Sequence, residues 1–324
     1  MKLFRHTLWY EGRFKVCAGD SGVDKKCANI MSMCPINRRI LSLSAVISLL
    51  LVGRQAAAQS FSFSVIERST IEARLKEFSP KDAEREAKLK QLFEQNGCAG
   101  EHLETQAVKG SRLPNVICTL PGAADRIIIV GAHFDHIGQG AGVVDNWSGA
   151  ALLPSLCAGL RSARRQHTFV FIGFTDEEKG LVGSRFYVRH LAPPVKAKIE
   201  AMVNLDSLGL SPTKVWVSRS DRKLVEALWR VAGAMKLSWG VVNADQVGAT
   251  DAFPFAEGKV PTITIHSITQ ETLPILHSRQ DRLPAIHMDD YYDTYRLLAG
   301  YLAYLDQLGL SANPAPKPSS SSTQ

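Results

Sequence analysis

Histidine and acidic side chains stand directly after the apolar runs of this sequence. The first run ends in His133-Phe-Asp135-His136, the second continues into Asp176-Glu177-Glu178, and the third ends in Asn204-Leu205-Asp206. Asp145 precedes a stretch rich in alanine and leucine, and His277 lies in a later loop. Together these groups would supply imidazole nitrogen and carboxylate oxygen donors, a combination that suits zinc. The sequence therefore predicts a metal site built from residues far apart in the chain.

Each of these groups also has a simpler structural interpretation. Asp145 could cap a helix, because an aspartate side chain accepts the free N–H groups of a first helical turn. Glu177 and Glu178 could be solvated charges at a helix start, where the helix dipole favours acids. A single histidine at the end of a strand is more often a surface residue than a ligand. The occurrence of all these groups after successive apolar runs is what favours the metal site.

The elements that must position these groups follow from the hydrophobic pattern. Unbroken apolar runs are typical of strands covered on both faces, and the intervening stretches carry helical spacing. The predicted strands are 126–132, 168–174, 201–205, 213–217 and 261–265, and the predicted helical stretches are 68–97, 146–160, one from Gly180, 224–235 and 290–308. This alternation predicts an α/β fold, an α/β/α sandwich with a mostly parallel central sheet and helices on both faces. Such sheets place their sites beyond the carboxyl ends of the strands.

The motifs around these groups resemble those of the M28 family of zinc metallopeptidases, which includes bacterial aminopeptidases and the related glutaminyl cyclases. In the family's order they are Gly131–Asp135, Asp145–Ala150, Asp176–Ser184, Asn204–Asp206, Thr250–Phe255, and His277 with Asp281. The similarity extends from about Asn115 to Leu308. It implies the phosphorylase/hydrolase-like zinc peptidase fold.

The resemblance also implies a set of metal ligands. Asp145 corresponds to the carboxylate that bridges two zinc ions. His133 and Asp206 correspond to the ligands of one ion, and Glu178 and His277 to the ligands of the other. The expected cofactor is therefore two zinc ions, although metal availability could supply another divalent ion to the same donors.

Two further residues have roles implied by the resemblance. Glu177 corresponds to the general base, which would accept a proton from the attacking water and pass it to the leaving amine. Asp135 corresponds to the residue that orients the imidazole of His133, the kind of supporting carboxylate that a ligating histidine requires.

The chain departs from the family pattern at several positions. Ala252 stands where related aminopeptidases often have a histidine or another polar residue, and Val247 stands near the expected position of a tyrosine oxyanion donor. Asp251 is retained, and we expect it to support the site without binding metal. His136 and His287 have no counterpart and are expected at the surface.

Residues 1–58 are predicted to be a leader. Arg38 and Arg39 precede an apolar segment, residues 40–53, of signal-peptide length, and Ala56–Ala58 supply a cleavage site. Translation could start at Met31 or Met33, which would give an ordinary signal peptide. The protein is therefore expected in the periplasm or secreted, without a membrane span after cleavage; an uncleaved anchor is the alternative.

The remaining chain is predicted to be a single catalytic domain, residues 59–310, followed by a disordered tail, residues 311–324, that is rich in Pro and Ser. Cys98 and Cys118 lie in turn-rich sequence where an oxidising compartment could join them, whereas Cys157 is expected to be a buried thiol.

Charge distribution excludes one class of partner. The chain has 38 Lys and Arg and 31 Asp and Glu residues, a formal net charge of +7. Nine of these basic and three of these acidic residues lie in residues 1–58, which leaves 29 basic and 28 acidic residues beyond the leader. We therefore expect no nucleic-acid partner.

The expected function is that of an exported aminopeptidase acting on a peptide or a small acyl-amine substrate. Two alternatives remain: a glutaminyl cyclase or amidohydrolase on the same scaffold, and a binding domain that has lost catalysis. The cyclase would need one working zinc ion, and decayed domains typically lose ligands.

Overall fold

The computed structural model describes residues 9–16, 59–245 and 248–310. The predicted signal segment 40–53 and the predicted tail 311–324 lie outside the described residues, so the domain boundaries stay predictions. Within the described residues, no helix has both the length and the apolar composition needed to cross a membrane.

Eight of the strands form one mixed sheet, in the order β3-β4-β6-β5-β7-β10-β8-β9, and β1 pairs with β2 in a separate two-stranded sheet. The strands are β1 (Trp9–Val16), β2 (Gln59–Ile66), β3 (Leu103–Gln106), β4 (Asn115–Leu120), β5 (Ile127–His133), β6 (Thr168–Phe174), β7 (Ile199–Leu205), β8 (Thr213–Val215), β9 (Trp239–Val241) and β10 (Thr262–His266).

Helices connect these strands and cover the sheet. They are α1 (Arg68–Leu75), α2 (Asp82–Gln95), α3 (Ser148–Ala150), α4 (Leu153–Arg161), α5 (Val182–His190), α6 (Pro193–Lys196), α7 (Arg222–Met235), α8 (Phe253–Glu257) and α9 (Met288–Gln307). Short 3₁₀ turns occur at Gly100–His102, Val217–Arg219, Leu273–Ile275 and Leu283–Ala285, and an irregular turn at Val143–Trp147 precedes α3. The predicted helical stretch 68–97 is thus two helices.

The four central strands are parallel, as the sequence predicts. β6 pairs with β5, β5 with β7, and β7 with β10, all in parallel register. At the flanks the β3–β4, β4–β6 and β10–β8 pairs are antiparallel, so the sheet is mixed. The carboxyl ends of the central strands therefore meet at one edge, and the loops that follow them share that edge.

Both faces of the sheet are covered. On one face, strand residues such as Ile129 and Phe174 pack with Phe255 of α8 and Tyr187 of α5. Helices α4 and α7 contact strands of the sheet and pack against α9. The predicted α/β architecture with helices on both sides is confirmed.

Helix α9 is buried although it is rich in tyrosine, because its hydroxyl groups have partners. Tyr291 donates to the carbonyl of Ser148 at 2.8 Å, and Tyr301 donates to the carbonyl of Leu224 at 3.1 Å. A buried tyrosine hydroxyl needs such a partner, and here the partners connect α9 to α3 and α7.

The three cysteines of the described residues form the disulfide and the buried free thiol considered in the sequence analysis. Cys98 and Cys118 form a disulfide that links the residues after α2 to β4. Cys157 is a free, buried thiol in α4.

Candidate metal centre

The ends of β5 and β7 bring two of the predicted ligands together. His133 is the last residue of β5, and Asp206 follows β7 directly. Nε2 of His133 lies 3.8 Å from Oδ1 of Asp206. The side chains of His133 and Asp206 are largely buried, with exposed fractions of 2% and 14%, so both are shielded from bulk solvent.

Asp145 lies between the two histidines. Its Oδ1 is 3.2 Å from Nε2 of His133, and its Oδ2 is 3.1 Å from Nε2 of His277. Oε2 of Glu178 also lies 3.1 Å from Nε2 of His277. One carboxylate thus faces two separate groups of donors, which is the arrangement that a bridging ligand requires.

Glu177 and Glu178 are held through their main chain by Asp135. The N–H of Glu177 donates to Oδ1 of Asp135 at 3.0 Å, and the N–H of Glu178 donates to Oδ2 at 3.2 Å. Asp135 also lies beside His133, whose Nδ1 is 3.2 Å from the Asp135 carbonyl oxygen and 3.5 Å from Oδ1. One aspartate therefore contacts three residues of the candidate site.

The turn that carries Asp145 is fixed by hydrogen bonds on both of its sides. Asp281 accepts bonds from the N–H groups of Val144 and Asp145, at 2.7 and 3.1 Å. The side chain of Asn146 donates to the carbonyl of Leu205 at 2.8 Å, which ties the turn to the end of β7. These bonds explain why an irregular turn at Val143–Trp147 can hold the predicted ligand Asp145 in a defined position.

Three loops at this edge contain a non-glycine residue in the left-handed region. Asp176 after β6, Ser207 after β7 and His277 after β10 have φ values of 51°, 54° and 54°. This conformation costs of order 1–2 kcal/mol for a residue with a Cβ. Strained residues of this kind concentrate at functional sites, where the surrounding structure holds them in place.

The ionisable side chains of the site interact electrostatically, and all of them are largely buried except His277, whose side chain is 45% exposed. Burial lowers the pKa of His133, but the nearby charge of Glu177 and hydrogen bonds with neighbouring carboxylates raise it well above its ordinary value. Hydrogen bonds to Asp145 and Glu178 raise the pKa of His277 to about 10. Burial raises the pKa of Glu177. Both histidines therefore respond to an excess of negative charge around them.

Divalent cations fit this donor set. The residues form two groups whose potential ligand atoms lie within 4.8 Å of one another: His133, Glu177 and Asp206, and Asp145, Glu178 and His277. Oε1 of Glu178 is buried without a hydrogen-bond partner. An unpaired buried carboxylate oxygen is costly unless a cation binds it. The four carboxylates of these groups would also balance the charge of two divalent ions.

A cavity of about 330 Å³ opens over these residues. Beyond the ionisable groups its lining includes apolar side chains, among them Leu181, Trp216, Ile268 and Leu276. His266 also lines it. Burial lowers the pKa of His266 to about 4, and its ring nitrogens bond to the Val242 carbonyl and the Ile268 N–H, so the imidazole is neutral.

Some sequence expectations for this region are wrong or untested. His136 is not a surface residue, because its side chain is 7% exposed and its Nδ1 lies 2.8 Å from Oδ1 of Asp82. His287 is 65% exposed, as expected. Asp251 is buried beside Ser184. Val247 lies outside the described residues.

Some residues of this region were missed by sequence reasoning. Trp216 and His266 line the cavity, but both lie in apolar runs that indicate a strand and its end, so nothing in the sequence marks them. Arg85 is different. It lies on the buried face of α2 with Leu89, Leu92 and Phe93. A charged residue at a position where the helical pattern predicts an apolar one could have been noticed from the sequence.

Comparisons with known proteins agree with the observed fold. The chain is 38% identical to an aminopeptidase of Pseudomonas aeruginosa over 110 residues, which are 33% of this chain and 20% of that protein. Its fold resembles a zinc aminopeptidase from Bacillus subtilis, with a TM-score of 0.54, 24% identity, and coverage of 59% of this chain and 49% of the other.

A glutaminyl cyclase has a similar fold. The cyclase of an Acidobacteriales bacterium aligns with a TM-score of 0.58 and 21% identity over 74% of this chain and 92% of the cyclase. The sequence match to the Pseudomonas aminopeptidase, by contrast, covers only a fifth of the length of that protein.

Residues 115–302, more than half of the chain, match the profile described as peptidase family M28. These residues include every predicted metal ligand and the predicted base, and the chain belongs to peptidase family M28.

Proposed function

We propose that this chain is an exported two-zinc aminopeptidase that releases the N-terminal residue of a peptide. The observation that carries the proposal is the position of Asp145, with one carboxylate oxygen 3.2 Å from His133 and the other 3.1 Å from His277. A carboxylate that faces two donor groups is what a pair of neighbouring metal ions needs.

Five residues would hold the metal ions. His133 and Asp206 would bind one ion, Glu178 and His277 the other, and Asp145 both. The bound ions would polarise the scissile carbonyl and lower the pKa of a water molecule. Nitrogen and oxygen donors without cysteine support zinc, in agreement with the family.

Glu177 would act as the general base. Its carboxylate belongs to the buried edge of the cavity, with a side chain 12% exposed, and the main-chain bond to Asp135 holds it beside His133. It would accept a proton from the attacking water and return that proton to the leaving amine. Asp135 would position both His133 and Glu177 without contacting the substrate.

The cavity supports an apolar N-terminal side chain as the preferred substrate feature. Trp216, Ile268 and Leu276 provide apolar contacts, and His266 adds no charge. Arg185 also lines the cavity and would disfavour a basic side chain. A leucine or phenylalanine residue would therefore bind better than a lysine residue.

The disulfide supports export. Disulfides persist in oxidising compartments such as the periplasm or the extracellular space. The Cys98–Cys118 disulfide is therefore expected to be stable in an exported protein. The predicted signal peptide is consistent with it.

A substrate panel tests the proposal. Purified protein would be assayed with aminoacyl p-nitroanilides and their N-acetylated forms, with added zinc and after chelation, and the metal content would be measured. We expect two metal ions per chain and chelator-sensitive cleavage of the free-amine substrates, with Glu177→Gln as the control against contaminating peptidases. Cleavage of the blocked substrates alone would reject the aminopeptidase. One bound ion and ammonia release from an N-terminal glutamine would favour the cyclase, and metal binding without turnover would favour a binding domain.

A further inference from the structure

Helix α2 carries a buried arginine on its apolar face. Leu89, Leu92 and Phe93 form the rest of that face, and Arg85 is 0% exposed. A buried charge is unfavourable unless hydrogen bonds and neighbouring charges compensate for it. Nε of Arg85 donates to the carbonyl of Ser79, just before α2, at 2.6 Å, and the other acceptors of its guanidinium lie beside the candidate metal centre.

The guanidinium of Arg85 binds both ends of the loop that connects β5 to the Val143–Trp147 turn. Nη1 donates to the carbonyl of Phe134 at 3.1 Å, and Nη2 donates to the carbonyls of Ala141 and, at 3.1 Å, Gly142. Phe134 lies between His133 and Asp135, and Gly142 lies three residues before Asp145. The planar group therefore spans the main chain beside one predicted histidine ligand and the main chain before the predicted bridging ligand.

A second contact from α2 reinforces the first. Asp82, one helical turn before Arg85, lies 2.8 Å from Nδ1 of His136. Gly142 has a φ of 56°, and a Cβ there would lie 2.5 Å from the His136 Cβ and 2.7 Å from Nη2 of Arg85. The loop thus packs directly on the two α2 side chains, with no room for a side chain at Gly142.

The charge of Arg85 complements the site as well. Burial lowers the pKa of Arg85, whereas the carboxylates of Asp82, Asp281, Asp135 and Asp145 raise it. An arginine side chain stays protonated in proteins, so a permanent positive charge lies within the field of these acids.

We propose that Arg85 is a positioning residue that sets the metal affinity of the site, an inference that rests on the proposed metallopeptidase function. Helix α2 lies before residues 115–302, the segment that matches the family, yet its Arg85 binds the main chain directly after His133 and shortly before Asp145. The competent site would therefore need this preceding helix in addition to the matched segment.

Arg165, which is less deeply buried than Arg85, provides a control away from the site. It also bonds main-chain carbonyls, those of Leu160 at 2.7 Å, Ala163 at 2.8 Å and Pro121 at 3.2 Å, but these lie before the amino end of β6. The variants are Arg85→Met, Arg85→Lys and Arg165→Met in the full chain. The measurements are the zinc dissociation constant by competition with a chromophoric chelator, kcat and KM, and the thermal midpoint of the metal-free protein.

Arg85→Met is expected to weaken zinc binding by about 10- to 100-fold, the usual effect of removing a group that supports a ligand. Arg85→Lys should fall between Arg85→Met and the wild type, because lysine keeps the charge but lacks the planar fork. Arg165→Met should lower the thermal midpoint and leave the zinc dissociation constant unchanged.

A wild-type zinc dissociation constant in either folded Arg85 variant overturns the proposal, and so does an equal loss in Arg165→Met. If Arg85→Met does not fold, Arg85→Lys alone decides. Failure of the proposed function is distinguishable. If the wild-type chain binds zinc but does not cleave aminoacyl substrates, the proposed aminopeptidase function is wrong, whereas the zinc dissociation constants of the Arg85 variants still test the role of Arg85. If the wild-type chain binds no zinc, the proposed function and the role of Arg85 are both wrong.

Discussion

The N–H group of Glu177 donates a hydrogen bond of 3.0 Å to the carboxylate of Asp135. This bond uses the main chain of Glu177, so a change of its side chain leaves the bond in place. The position of the residue and the chemistry of its carboxylate can therefore be separated by substitution.

Replacement of Glu177 by glutamine should abolish most activity and retain the metal. An amide cannot accept the proton of the attacking water, and loss of a general base costs about 10²- to 10⁴-fold in rate. Steady-state kinetics and elemental analysis of the same preparation check this. Lys179→Gln, which changes an exposed charge in the same loop, is the control and should keep its activity. Turnover near the wild-type rate in metal-loaded Glu177→Gln would remove Glu177 from its proposed role.

Replacement of Asp145 by asparagine should have the opposite effect on the metal. Asp145 faces both donor groups, and an amide presents one oxygen and no charge to them. We expect metal content after dialysis to fall well below that of Glu177→Gln, with loss of activity as a consequence. Full occupancy of two ions in Asp145→Asn would contradict the bridging role.

A buried histidine far from the metal centre should make stability depend on pH. Nε2 of His167 lies 3.0 Å from Oε2 of Glu200, and Nδ1 lies 3.3 Å from Oδ1 of Asp306. Burial lowers the pKa of His167, but the hydrogen bonds to Asp306 and Glu200 together raise it by more than burial lowers it. The pKa of His167 is therefore above its usual 6.5. The stability from these contacts is fully present below about pH 6.5 and is lost as pH rises through the folded-state pKa.

Urea unfolding at pH 6 and pH 9 tests this expectation. The free energy of unfolding of the wild type should decrease over this interval more than that of His167→Gln, because the variant has no protonated imidazole to lose. Asp306→Asn should reduce the difference as well. Equal changes in the wild type and His167→Gln would show that the histidine makes no such contribution.

Two glycines should respond to alanine in opposite ways. A Cβ at Gly149 would lie 2.7 Å from the carbonyl oxygen of Leu205 and 2.6 Å from Oδ1 of Asn146, both of which are fixed by the site. Overpacking of this kind costs about 1–3 kcal/mol. Gly233 lies within α7 with no atom near a Cβ, so Gly233→Ala should stabilise the protein by about 0.5–1 kcal/mol. Denaturant unfolding measures both, and equal effects would contradict the packing at Gly149.

Strands β5 and β6 of the parallel core could be predicted from sequence because each is built on an unbroken apolar run. β6 matches its predicted bounds, 168–174, and β5 begins and ends one residue later than predicted. β3 was not predicted, since it has four residues of which two are exposed. β4 was not predicted either, because its sequence lies among turn-forming residues and its strand character comes from antiparallel pairing with β6.

The residues of the candidate site could be grouped from sequence because the parallel strands bring their carboxyl ends to one edge. Most of the contacts that support them could not, apart from the contact of Asp135 with His133 that the resemblance to the M28 family implies. Asp281 bonds to the main chain of Asp145 across 136 residues, and Arg85 reaches Phe134 across 49 residues. Such contacts depend on how α2 packs against the loops. The local hydrophobic periodicity of the sequence carries no information about that packing.

Strand β6 has the His167 ion pairs at its amino end and the loop of Glu177 beyond its carboxyl end. Its seven residues separate these ends by roughly 20 Å, and sites so far apart without shared partners contribute additively to stability. A substitution that changes the pH dependence of stability at the His167 end of β6 should therefore leave the candidate metal centre beyond the other end unaffected.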